Sequence, residues 1–126
     1  MKLVDTSAWI EWLTDTPLGR RIGAELPKPG QWLVPTLVQL ELSKWLTRNA
    51  DEDRAELVLA FSTTCVVVPL DTEIALSAAD LCRQHQLSTA DSIIYATARA
   101  FDAELVTCDA HFNSLADVKY FPKGKT

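Results

Sequence analysis

The sequence predicts an α/β fold, with a central, mostly parallel sheet of about four to five strands and helices on both faces. Three observations carry that prediction. Short apolar stretches, several rich in valine, recur along the chain. Helical patterns fill the intervals between them. The 126 residues suit one compact domain, 1–126, with a tail from about residue 122. Such alternation favours a parallel sheet, because each crossover helix returns the chain to the starting edge before the next strand begins.

The elements follow in order. Residues 2–5 form the first short apolar strand. Residues 7–13 and 17–26 are helical, the second opened by Thr16-Pro17, a cap followed by a proline at the first helical position. Residues 32–34 form the second strand. Residues 36–49 and 51–63 read as a helix pair, since Asn49-Ala50-Asp51 can end one helix and cap the next. A valine-rich strand over 65–68 leads to a helix over 72–86, capped by Asp71 or Thr72. A nearly apolar helix over 89–101, a strand over 104–107, a short helix over 110–115 and a last strand over 118–121 complete the chain.

Composition narrows the classes. The hydrophobic fraction of 48% is that of a globular domain. No apolar run approaches the roughly 18 residues that span a membrane, and the opening segment lacks the pattern of a signal peptide. Both point to a cytoplasmic protein with no membrane partner. Three cysteines, Cys65, Cys82 and Cys108, show no framework spacing and read as reduced thiols. A net charge of −5 argues against nonspecific coating of nucleic acid, which runs on lysine and arginine. Lys119, Lys123 and Lys125 gather near the C-terminus, as a solvated tail or as contacts to phosphate.

Four acids stand where ordinary surface explains them poorly. Asp5 ends the first strand, and Asp109 follows the strand over 104–107. Glu41 and Asp91 are placed in the first turns of helices. Strand ends and the helix starts that follow strands share one edge of a parallel sheet, the edge where ligands bind. Each acid also has a plain structural reading. Asp5, Thr6 and Ser7 are all good caps, and three candidates exceed what one helix needs, which leaves Asp5 free. Glu41 can pair with Lys44 on an exposed face. Asp91 can complete a capping box with Ser88, and Asp109 can cap the last short helix. The Thr107 hydroxyl is either an ordinary strand end or a group that orients neighbouring carboxylates.

Gathered together, four carboxylates need a compensating cation, and oxygen-rich sites suit Mg²⁺ or Mn²⁺. Such ions activate water for phosphodiester hydrolysis, so no histidine or lysine base is needed. That agrees with a chain of only two histidines, neither placed beside Asp5, Glu41 or Asp91.

The segments Leu3-Val4-Asp5-Thr6-Ser7, Leu40-Glu41-Leu42, Thr89-Ala90-Asp91-Ser92-Ile93-Ile94-Tyr95-Ala96 and Glu104-Leu105-Val106-Thr107-Cys108-Asp109-Ala110-His111-Phe112 resemble, in order and spacing, the PIN domain. Within it, the chain looks like the VapC toxins of bacterial toxin–antitoxin pairs. The resemblance runs from Leu3 to about Phe121. It implies an α/β/α sandwich and a Mg²⁺- or Mn²⁺-dependent endoribonuclease working by metal-activated water. The implied acidic quartet, catalytic and metal-binding, is Asp5, Glu41, Asp91 and Asp109, supported by Thr6 and Thr107. It further implies a structured RNA substrate such as tRNA or ribosomal RNA, a cognate VapB-like antitoxin and a homodimer. Two positions depart from the family pattern: Cys108, where a basic residue is common, and His111, where a second acid often stands.

Three further readings stay open. Some of Trp9, Ile10, Trp12 and Trp45 either pack in the core or line a groove for an antitoxin helix. Cys82 with His85 and Cys108 with His111 have formal zinc-ligand spacing. A noncatalytic RNA- or protein-binding module of the same fold is the alternative to an enzyme.

Overall fold

The computed structural model describes residues 1–124. Lys125, the last of the tail lysines, lies outside the described residues. Five strands form a single parallel sheet: β1 (Lys2–Val4), β2 (Trp32–Pro35), β3 (Val66–Val68), β4 (Glu104–Thr107) and β5 (Val118–Tyr120). Six helices connect them: α1 (Thr6–Leu13), α2 (Pro17–Gly23), α3 (Thr36–Asn49), α4 (Glu52–Ser62), α5 (Thr72–His85) and α6 (Thr89–Ala100). The predicted α/β/α sandwich with a parallel sheet is therefore what the chain forms.

The strand order is β3-β2-β1-β4-β5. From β1 the chain steps outward to β2 and β3, then crosses back to β4 on the other side of β1. Right-handed crossovers put α1 to α4 on one face and α5 with α6 on the other. The direction of winding thus reverses between β1 and β4, and a crevice opens there beyond the strand ends. The register sets Val4 against Val106, and the Asp5 amide donates to the Val106 carbonyl at 2.8 Å. Asp5 and Thr107 are therefore neighbours at the head of that crevice.

The core explains why the strands read as plain apolar runs. Leu3, Val4, Leu33, Val34, Leu105 and Val106 are fully buried, as expected of strands covered on both faces. Trp9 is also fully buried and packs 4.7 Å from Trp32, with Trp12 and Phe61 at the edges of the cluster. Trp9 is thus a core residue and lines no groove. Trp12 and Trp45 are half-buried.

Several element ends differ from expectation for local reasons. Helix α2 stops at Gly23 rather than residue 26, because the next amides, Glu25 and Leu26, bond three residues back, to Ile22 and Gly23. The last short helix is one 3₁₀ turn, Ala110–Phe112, and another such turn, Pro29–Gln31, lies just before β2. Glu41 sits in the second turn of α3, not the first, since that helix begins directly at Thr36. Asp51 and Asp71 cap α4 and α5 with their side chains, as ordinary capping acids. The three cysteines are free thiols.

Candidate active site

A cleft of about 280 Å³ lies at the crevice. All four acids, Asp5, Glu41, Asp91 and Asp109, line it, together with Thr6 and Ser7. Ile10 and Ile94 supply apolar wall, and Lys123 stands on the rim.

Asp5 is itself the cap of α1 as well as a wall of the cleft, so Thr6 and Ser7 do not leave it free of capping as expected. Its Oδ1 accepts the Thr6 amide at 2.9 Å. Its Oδ2 accepts the hydroxyl protons of Ser7 at 3.0 Å and Thr107 at 2.8 Å. Each hydroxyl has one proton, so both spend it on Asp5. Their lone pairs then take backbone amides from the turn after β4: Cys108 N–H to Ser7 at 3.0 Å, and Asp109 N–H to Thr107 at 2.9 Å. One carboxylate thereby ties the end of β1 to the end of β4.

Asp5 is 7% exposed. Burial pushes its carboxyl from the ordinary 3.8 up to about 6, and the nearby Glu41 adds to the rise. The hydrogen bonds from Thr107, Ser7 and the Thr6 amide oppose it without cancelling it.

Glu41 reaches the cleft from α3, and the Thr6 hydroxyl donates to its Oε1 at 2.6 Å. Thr6 thus holds Glu41 as Thr107 holds Asp5. Asp91 lies in the first turn of α6, where the Ser88 side chain accepts its amide at 3.1 Å. Asp109 caps the 3₁₀ turn, its Oδ1 accepting the His111 amide at 2.9 Å.

Two members of the site lay beyond the sequence reading. The sequence marks Ser7 only as a spare cap, although a hydroxyl two residues past a strand-end acid is well placed to hold it. Along the chain, His111 does not adjoin Asp5, Glu41 or Asp91. In the structure its Nδ1 is 3.1 Å from Asp91 Oδ2 and 3.2 Å from Asp109 Oδ1. Twenty residues separate Asp91 from His111, and only the packing of α6 beside the turn after β4 brings them together.

The donor set fits a divalent cation. Asp91, Asp109 and His111 offer ligand atoms within 4.8 Å of one another, and the desolvated Asp5 shares their cleft. The zinc alternative does not form among the described residues. No cysteine joins that group; Cys82 donates to Ser92 Oγ at 2.9 Å, and His85 packs edge-on against Tyr95. Burial, with Glu11 and Asp5 adding to it, pushes the Cys108 thiol up to about 11, the reverse of what a zinc ligand needs.

Comparison with known proteins places this geometry. A toxin–antitoxin complex from Klebsiella pneumoniae matches with a TM-score of 0.84 at 21% identity, over 98% of this chain and 100% of that one. VapC20 of Mycobacterium tuberculosis, a toxin cleaving the sarcin–ricin loop, matches with a TM-score of 0.74 at 22% identity, over 97% and 100%. FitAcB from Neisseria gonorrhoeae matches with a TM-score of 0.75 at 23% identity, over 96% of each chain. No curated protein matches at a significant level. At these identities the likeness establishes the fold. The family model described as PIN domain matches residues 2–118, a span that takes in both sides of the crevice and all four acids. The chain therefore belongs to the PIN domain family.

Proposed function

We propose that the chain is the toxin of a toxin–antitoxin pair, an endoribonuclease that hydrolyses RNA phosphodiester bonds with Mg²⁺ or Mn²⁺. Asp5, Asp91 and Asp109 hold the ion directly or through water, and Glu41 binds it or orients a water. The observation that carries this reading is the buried Asp5 carboxylate sharing a cleft with three other acids. Such an arrangement is costly unless a cation occupies it.

When bound, the ion acidifies a water and neutralises charge on the phosphate. The remaining work falls to the protein. Thr107, Ser7 and the Thr6 amide occupy the inner lone pairs of Asp5 and fix the direction of those left open. The Thr6 hydroxyl does the same for Glu41. Lys123 on the rim contacts an RNA phosphate in this reading. In-line hydrolysis leaves 5′-phosphate and 3′-hydroxyl ends.

The toxin assignment draws on the toxin–antitoxin complex and the sarcin–ricin-loop-cleaving toxin among similar structures. With it come a structured RNA substrate, tRNA or ribosomal RNA, a VapB-like antitoxin, a homodimer and a cytoplasmic location. No helix among the described residues is long and apolar enough to cross a membrane.

Sequencing RNA ends after brief expression of wild type and Asp5→Asn tests the proposal. New 5′-phosphate ends are expected with wild type only, and EDTA is expected to abolish cleavage in vitro. Equal cleavage by the variant would remove Asp5 from the chemistry. No cleavage of any RNA by wild type with metal would favour the noncatalytic binding module.

A further inference from the structure

The acidic cleft has one candidate ligand that is not an oxygen. His111 Nδ1 stands between two carboxylates from separate elements, 3.1 Å from Asp91 Oδ2 on α6 and 3.2 Å from Asp109 Oδ1 after β4. Asp109 Oδ1 also accepts the His111 backbone amide at 2.9 Å, so carboxylate and imidazole are set by one turn. The side chain is 73% exposed. Core packing therefore does not explain why the ring points inward at two acids.

Donor spacing is informative. Around a six-coordinate ion with bonds of about 2.1 Å, adjacent donors lie about 3.0 Å apart. The two separations from Nδ1 are close to that edge length. A neutral imidazole carrying its proton on Nε2 offers the Nδ1 lone pair to an ion.

Building on the metal-dependent reading above, we propose that His111 is a direct nitrogen ligand at the Asp91–Asp109 position and shifts its preference from Mg²⁺ towards Mn²⁺ and later first-row ions. Mg²⁺ takes oxygen donors and gives up water reluctantly, whereas an imidazole nitrogen favours transition ions in the Irving–Williams order. His111 is thus a specificity-determining residue for the ion, distinct from the four acids that any dication would use.

The test uses the full chain, stripped by chelator and titrated with Mn²⁺ and then with competing Mg²⁺. Electron spin-echo modulation of the bound Mn²⁺ reads directly coordinated ¹⁴N. Wild type and a His85→Ala control are expected to show the nitrogen signal; His111→Ala and His111→Asp are expected to lose it. The ratio of Mn²⁺ to Mg²⁺ affinity is expected to fall about tenfold in His111→Asp, which makes the site all-oxygen. Mn²⁺ bound in wild type without nitrogen modulation, or an unchanged ratio in His111→Asp, would overturn the role of His111 and leave the nuclease reading standing. Failure of wild type to bind either ion at millimolar concentration would overturn both.

Discussion

Thr107 donates its hydroxyl proton to Asp5 Oδ2 at 2.8 Å, a buried hydrogen bond between residues 102 positions apart. The Thr107 hydroxyl oxygen in turn accepts the Asp109 amide at 2.9 Å. One hydroxyl therefore both steadies the charge on Asp5 and shapes the turn that carries Asp109 into the cleft.

Thr107→Val keeps the shape and removes both bonds. A buried carboxylate and an amide each lose a partner, so stability is expected to fall by about 2 kcal/mol at pH 7.5. RNA cleavage is expected to fall more than tenfold, on the order of other losses of groups that orient metal ligands. Thr107→Ser should recover most of both. Urea unfolding beside cleavage rates checks this, and a valine variant as active as wild type would contradict it.

Stability should depend on pH through Asp5. Burial raises its folded pKa from 3.8 to about 6. Between those values the folded chain holds a proton that the unfolded chain has released. The stability gained from that proton is complete below about pH 4 and is lost as pH rises through about 6, a change of up to about 3 kcal/mol. Above that range Asp5→Asn should make the metal-free protein more stable than wild type. Adding Mn²⁺ should then stabilise wild type and leave the variant nearly unmoved. Chemical denaturation in EDTA from pH 4 to 8 reads this directly; a metal-free wild type that is the more stable partner at pH 7.5 would contradict it.

Thr6→Val should separate activity from folding. It frees Glu41 from its 2.6 Å hydrogen bond but keeps the Thr6 amide on Asp5. Cleavage is expected to drop about tenfold to a hundredfold, with unfolding shifted by less than about 1 kcal/mol. Parallel kinetics and thermal melts decide it.

Gly19 is the fixed point of the α1–α2 contact. A Cβ there would collide with the Glu11 carbonyl, and neither backbone can yield. Gly19→Ala is expected to cost about 3 kcal/mol, while Gly23→Ala, whose Cβ meets only the Trp12 ring at 3.3 Å, should cost less than about 1 kcal/mol. Comparable melting temperatures for the two variants would contradict the packing account.

The sheet was legible because its inner strands are buried on both faces, so Leu3-Val4, Leu33-Val34 and Leu105-Val106 stand out as apolar runs. The acids were legible because strand ends in such a sheet share an edge. What stayed hidden depended on side-chain direction. Capping and site roles looked like alternatives for Asp5, yet its two oxygens serve both. Glu41 is defined by a hydroxyl 35 positions away. His111 looked remote from Asp91 because spacing along the chain says nothing of α6 packing beside the turn after β4. Trp9 and Trp12 share a face by spacing, but only burial shows that Trp9 belongs to the core.

The central claim is that these carboxylates form a cation site. Crystals grown with Mn²⁺ and measured at its absorption edge locate the ion without reference to activity. The account predicts an anomalous peak in the cleft, within bonding distance of Asp91 and Asp109 and reaching Asp5 directly or through one water. Peaks confined to other surface carboxylates, with the cleft holding only water, would contradict it.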